Sequence, residues 1–194
     1  MPDLPSRAVV SNAALAALAV PARFALLNHL LAAGPRTASQ CAEVIGETPS
    51  NCSWHLRALA KVGLVEPAPE KGADGRTRPW RATAVGFDFS GEPGPAGAIA
   101  RNALAVMSAE YGDDLYRRYL ARQELLPEEW TEVSGTSSYS LELTPEELRA
   151  LAAALDQLIR PYVRSIRDDA PAGSAVVHVS LRAFLNPDAQ EPQP

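Results

Sequence analysis

The chain has 194 residues, 46% of them hydrophobic, enough to bury a core and to form one or two domains. Its net charge of −5, taken whole, argues against a nucleic-acid partner, and no apolar run approaches the roughly 20 residues that a membrane span needs. Two cysteines, Cys41 and Cys52, give no disulfide framework and suggest a reduced, cytoplasmic protein.

In chain order, residues 1–6 hold Pro2, Asp3 and Pro5 and read as a disordered start. Arg7 before an Ala-rich run imitates a signal peptide only faintly, because Asp3 precedes it and Ser11 and Asn12 interrupt it. A first helix is expected at about Ala8–Leu18. Pro21 opens a second, with Phe24, Leu27, Leu30 and Leu31 on its core face, and Gly34-Pro35 ends it.

The organising stretch is Thr37 to Leu64. Thr37 with Gln40 forms a capping-box pattern, and Gly46 is placed to end the short helix it starts. Thr48 then caps another helix, over 48–62, with Pro49 in its first turn. Cys52, Leu56 and Leu59 recur at helical spacing on one apolar stripe; Ser50, Trp54, Arg57 and Lys61 fall opposite. Such a helix is anchored on one side and offers hydrogen-bonding groups, an aromatic ring and positive charge on the other, as a DNA recognition helix does.

Leu64-Val65-Glu66 begins a strand, residues 70–77 (EKGADGRT) form a turn-rich tip, and residues 79–83 return. This hairpin, over 66–83, reads as a wing with Lys71, Arg76 and Arg78 at or near its tip, suited to phosphates or the minor groove. Charge distribution agrees better than total charge. Residues 1–90 carry nine Lys/Arg against seven Asp/Glu (+2), and residues 91–194 carry nine against sixteen (−7). Residues 51–81 hold six basic against three acidic side chains, or +3.

Residues 86–97 read as a Gly/Pro linker. A long helix follows over about 98–125, with Leu104, Met107, Tyr111 and Leu115 on one stripe; it is too long for a small winged domain and reads as a dimer helix, pairing with its copy and with the first helix. Pro127–Gly135 is expected as a loop containing Trp130. Tyr139, Leu141 and Leu143 alternate as a half-buried strand should. Thr144, Pro145 and Glu147 cap a helix whose buried face is traced by Leu148, Leu151, Leu155, Leu158, Ile159 and Tyr162, with Pro161 kinking it or starting its last turn. Val177, Val179 and Leu181 suggest a last strand pairing with the first, and 186–194 a frayed tail.

The runs PARFALLNHLLAAG, TASQCAEVIGETPSNCSWHLRALAKVGLVE and GRTRPWRAT resemble the ArsR-type winged helix-turn-helix transcriptional regulators, closely over residues 12–85 and more weakly over 98–185. The resemblance implies a homodimer that reads an inverted-repeat site on double-stranded DNA, most often as a repressor. By motif position it assigns Ser50, Asn51, Ser53, Trp54, His55 and Arg57 to DNA, with Arg76, Arg78 and Arg81 from the wing; the outward Lys61 joins them on spacing. Trp54 stands where the family often has Tyr or Arg, so base preference does not transfer. On chemistry, Asn51 suits adenine, Arg57 a guanine or a phosphate, and Ser50 and Ser53 phosphates near a helix N-terminus. His55 lies beside the apolar stripe, and packing or a phosphate contact are both open to it.

The expected fold class is α+β, mainly α: a winged helix-turn-helix domain over 1–90, then a long dimerisation helix and a small strand-helix-strand unit over 91–194. Metal sensing at the family's usual sites is not expected, because the helix before the recognition helix has only Cys41 and the 98–125 helix has no histidine. Trp130, Tyr139, Tyr162 and Phe184 offer aromatic surface for an organic effector, although such residues are more often plain core. No phosphate loop, nucleophile elbow or paired metal motif marks an enzyme, and no cofactor is expected. The rival reading is a protein-interaction module that keeps the winged fold and has lost DNA binding.

Overall fold

A computed structural model describes residues 7–69, 78–88 and 94–189. The Lys71 and Arg76 assignments, the start of the chain and the end of its tail lie outside the described residues.

The helices of the N-terminal half follow their caps. Helix α1 (Asn12–Leu18) starts where the Ser11 hydroxyl accepts from the Ala14 amide, four residues later than the Ala-rich run suggests. Ala8–Val9 instead forms a short strand, β1. Helix α2 (Pro21–Ala33) begins on Pro21, and α3 (Ala38–Ile45) carries a complete Thr37–Gln40 capping box. Gly46, at φ 73° and ψ 28°, closes α3 in the left-handed conformation that glycine adopts without strain. Helix α4 (Pro49–Lys61) is capped by Thr48, whose hydroxyl accepts from the Asn51 amide.

Strands β2 (Val65–Pro67) and β3 (Trp80–Ala82) pair antiparallel with Glu66 opposite Arg81, which is the stem of the expected hairpin. Arg36 extends this sheet by two backbone bonds to Trp80, of 3.0 and 2.7 Å. A parallel pair joins β1 to β4 (Phe87–Asp88), placing a strand inside the stretch read as linker. Phe87 explains the difference: it is buried, and its apolar side chain draws that stretch onto the core.

The core collects Leu15 and Leu18 from α1, Phe24, Leu26, Leu27 and Leu30 from α2, Cys41 from α3, and Cys52, Leu56 and Leu59 from α4. Helix α5 (Pro95–Leu120) packs on α1 and adds the buried Leu104 to the same core. Of the stripe of Leu104, Met107, Tyr111 and Leu115, the first three pack against the winged domain, which gives the expected pairing with the first helix, and Phe24 meets Tyr111 edge to face at 5.6 Å between ring centroids. Ile99, Val106 and Leu120 are on the outward side of α5.

Beyond Gly112 no described residue is buried. Helix α6 (Glu128–Val133) replaces the loop expected around Trp130; Glu128 and Glu129 in its first turn suit the positive helix N-terminus. Helix α7 (Pro145–Ile159) has the capping box of Thr144 and Glu147, and a 3₁₀ turn over Arg160–Tyr162 follows, with Pro161 inside it. Its predicted buried face is buried only in part, since Leu158 is 69% and Tyr162 67% exposed. Neither expected strand forms: residues 134–144 and 175–186 run without ladder partners among the described residues. Their alternating pattern satisfies the local requirement for a strand, but a strand also needs a neighbour for its backbone.

Candidate nucleic-acid interface

The candidate interface is built on α4. One side is fixed by Cys52, Leu56 and Leu59, each with no exposed surface. Ser50, Trp54, Arg57 and Lys61 then face outward by helical geometry, and all four are exposed. Ser53 and Asn51 lie at the margin, half-buried. The Asn51 side-chain NH₂ donates to the Glu47 carboxylate at 2.7 Å, so one of its two donor hydrogens is engaged while the other and the carbonyl oxygen stay available.

His55 is 6% exposed, and its ring packs edge-on to Trp54 at 4.9 Å between centroids. Its pKa is lowered by burial, then by the nearby Arg23, with Glu47 opposing, so the ring is neutral at physiological pH. Of the described residues assigned to DNA it is the one buried in this chain, placed beneath Trp54.

Trp54 is 56% exposed, yet one ring face is covered: the Arg23 guanidinium lies 5.1 Å from its centroid. Arg23 also donates to the Ala17 carbonyl at 3.3 Å, tying α1, α2 and α4 together. Sequence reasoning passed over Arg23. Its signal was a cation in the first turn of α2, where the helix dipole is unfavourable and a tertiary partner is needed to offset it.

On the hairpin stem, Arg81 pairs with Glu66 at 2.7 Å, each side chain nearly half exposed, and Arg78 donates to the Ala68 carbonyl at 3.2 Å. Both arginines are exposed at the surface, though each already holds a partner within the hairpin. The Cys41 and Cys52 thiols are free and buried, and burial, then the neighbouring Cys52, pushes Cys41 to about 11, which leaves it a poor nucleophile.

The aromatic set proposed for an effector is not assembled: Tyr139, Tyr162 and Phe184 are 79%, 67% and 76% exposed, and no ring contact joins them to each other or to Trp130 among the described residues. A shallow groove lies elsewhere, between α2 and α5, lined by Phe24, Ile45, Glu47, Met107 and Tyr111. Among the described residues no single helix is long and apolar enough to cross a membrane.

Residues 18–68 match the model of a helix-turn-helix domain family, a span that runs from the end of α1 into the wing. No curated protein matches the chain. Among solved structures it is similar to the homodimeric winged helix-turn-helix DNA-binding domain of Mb0332 from Mycobacterium bovis, described as a possible ArsR-family transcriptional regulator. That match has 28% identity and a TM-score of 0.33, covering 50% of this chain and 77% of the other. The Mycobacterium tuberculosis MarR family protein Rv2887, in complex with salicylic acid, is 23% identical with a TM-score of 0.31, covering 77% and 87%. Lactococcus lactis ZitR, in a point-mutant form, is 16% identical with a TM-score of 0.29, covering 71% and 73%.

Proposed function

We propose that this winged helix-turn-helix chain is a transcriptional regulator that binds a palindromic promoter site as a homodimer, acting as a repressor. The observation that carries the reading is the two-sided build of α4. A helix held rigidly by three fully buried side chains turns Ser50, Trp54, Arg57 and Lys61 to solvent, directly before a hairpin bearing Arg78 and Arg81.

In this reading α4 enters the major groove. Arg57 reads a guanine or a phosphate, and Ser50 and Ser53 take phosphates near the helix N-terminus. Asn51 approaches an adenine with its carbonyl oxygen accepting and the second hydrogen of its NH₂ donating, while Glu47 holds the first. Trp54, held by Arg23 on one face, offers its other surface to sugars or thymine methyls. Lys61, Arg78, Arg81 and the tip residue Arg76 give affinity through the backbone. His55 orients Trp54 from beneath and makes no contact of its own.

The test is binding of the purified protein to its own promoter DNA at several salt concentrations, against a scrambled duplex. Specific binding with a steep salt slope is expected. Arg57→Ala should cost about 1–3 kcal/mol of binding free energy, and Lys61→Ala should weaken binding to both duplexes alike and reduce the salt slope by about 1. Equal affinity for both duplexes, or unchanged affinity in Arg57→Ala, would overturn this docking.

A further inference from the structure

Two stretches of the C-terminal half alternate in polarity and lie in no helix and no sheet among the described residues. Residues 137–143 present Tyr139, Leu141 and Leu143 on one side, at 79%, 61% and 40% exposure. Residues 175–185 present Val177, Val179 and Leu181, at 61%, 58% and 60%. Among the described residues, the backbone of 136–143 and of 175–185 makes no hydrogen bond to other backbone. Unpaired strand edges with an apolar row are otherwise avoided in proteins, because they recruit other strands.

The second stretch is laid on its own chain with the wrong side inward. Arg182 donates to the Ala109 carbonyl at 3.1 Å and pairs with Asp113 at 2.7 Å, and the His178 ring sits 6.4 Å from that of Tyr111. A Cβ at Gly112 would lie 3.4 to 3.7 Å from the side chains of Arg182, His178 and Ser180, which is van der Waals range, so these three side chains lie directly on α5. The polar row of His178, Ser180 and Arg182 thus rests on α5, and the apolar row of Val177, Val179 and Leu181 points away from it. A stretch folded for solvent would be turned the other way.

We propose that these stretches are the two halves of an intermolecular β-ladder, in which residues 137–143 of one copy pair with residues 175–185 of a second copy, and the reverse. The occupant follows from three features. Each copy carries one unpaired edge of each kind, so a two-fold pair satisfies both edges at once and closes the assembly, whereas a different partner would have to supply two. Aligning the two apolar rows puts Glu142 on the same side of the ladder as His178 and Arg182, opposite in charge to Arg182. Among the described residues from Leu125 to Leu185, fourteen large apolar side chains are at least 40% exposed, and apolar surface left uncovered in this way marks a place where another chain binds. This inference rests on the dimeric part of the proposed function and is independent of the DNA contacts.

The experiment uses full-length chains in which Leu141→Cys and Val179→Cys are introduced separately. The native thiols are buried and leave these exposed positions as the reactive ones. The two variants are mixed, treated with a short bismaleimide and resolved by mass spectrometry, with light scattering for oligomeric state. A covalent heterodimer joining Cys at 141 of one chain to Cys at 179 of the other is expected, and the double variant should link between chains rather than within one. A second variant, Leu181→Asp, should raise the dimer dissociation constant at least tenfold without moving the unfolding midpoint of the winged domain. Dimers that link only within chains, or do not link, would overturn the exchanged ladder and leave the dimer standing. A monomer at all concentrations would overturn the ladder and the dimer together, while promoter binding, measured separately, judges the DNA reading.

Discussion

The two halves of this chain carry apolar residues in similar patterns and treat them in opposite ways. In the winged half, Leu15, Leu18, Leu26, Leu56 and Leu59 are wholly buried. Beyond Gly112 nothing described is buried, and apolar rows at Tyr139–Leu143 and Val177–Leu181 face solvent. The difference lies in where the partners are. Helices α1 to α4 find one another within a few dozen residues, so one chain closes their core. The distal rows are matched in sequence to a sheet that one chain does not close.

The sharpest way to break this comparison is to truncate one leucine in each half. Leu56→Ala should destabilise the winged domain by about 2–5 kcal/mol in denaturant unfolding, through lost transfer energy and the cavity left behind. Leu181→Ala should move the same transition by less than about 0.5 kcal/mol. Equal effects would mean that the halves share a core that the described residues do not reveal.

The halves also share a device, the capping box, and that allows a finer test. Thr37→Ala and Thr144→Ala should each cost about 1 kcal/mol in the helix they start, followed by hydrogen exchange of the first-turn amides. The two boxes differ in their closing residue. Gln40 does not titrate, whereas hydrogen bonds from the Thr144 backbone amide and then its hydroxyl hold the exposed Glu147 below its ordinary pKa. A carboxyl depressed in the folded state contributes stability above its unfolded pKa and loses it as pH falls through the folded one. Acidification through the carboxylate range should therefore fray the start of α7 and leave α3 intact, and Glu147→Gln should abolish the difference.

The smallest effect is expected at surface ion pairs. Breaking Arg81–Glu66 in the wing stem or Arg182–Asp113 on α5 should change stability by no more than about 1 kcal/mol, less at high salt, since all four side chains are substantially exposed. Arg182→Ala sharpens the comparison further if its small intrachain effect accompanies a weakened dimer, as the exchanged ladder requires.

Much of the winged half was legible in the residues. Ser, Thr, Pro and Gly at helix ends state their meaning within one turn, and the spacing of Cys52, Leu56 and Leu59 identified the buried side of α4 without reference to anything distant. Other features were not legible. His55 borders the apolar stripe at a position where packing and contact look alike, and its burial beside Trp54 and Arg23 appears only in the tertiary structure. The Gly/Pro composition of 86–97 hid β4, because pairing Phe87–Asp88 with Ala8–Val9 joins stretches almost eighty residues apart.

By itself, then, the sequence determined where helices begin and end and which side of α4 is apolar, because caps and helical periodicity act through bonds three or four residues apart. Tertiary structure decided that the stripe of Leu104, Met107 and Tyr111 turns inward onto α1 and α2, that the Arg23 guanidinium covers one face of Trp54, and that Tyr139–Leu143 and Val177–Leu181 remain without ladders in the single chain. Helix hydrogen bonds are local and satisfied as the chain is written, whereas a strand or a buried stripe needs another surface, and its identity is not encoded in the residues that require it.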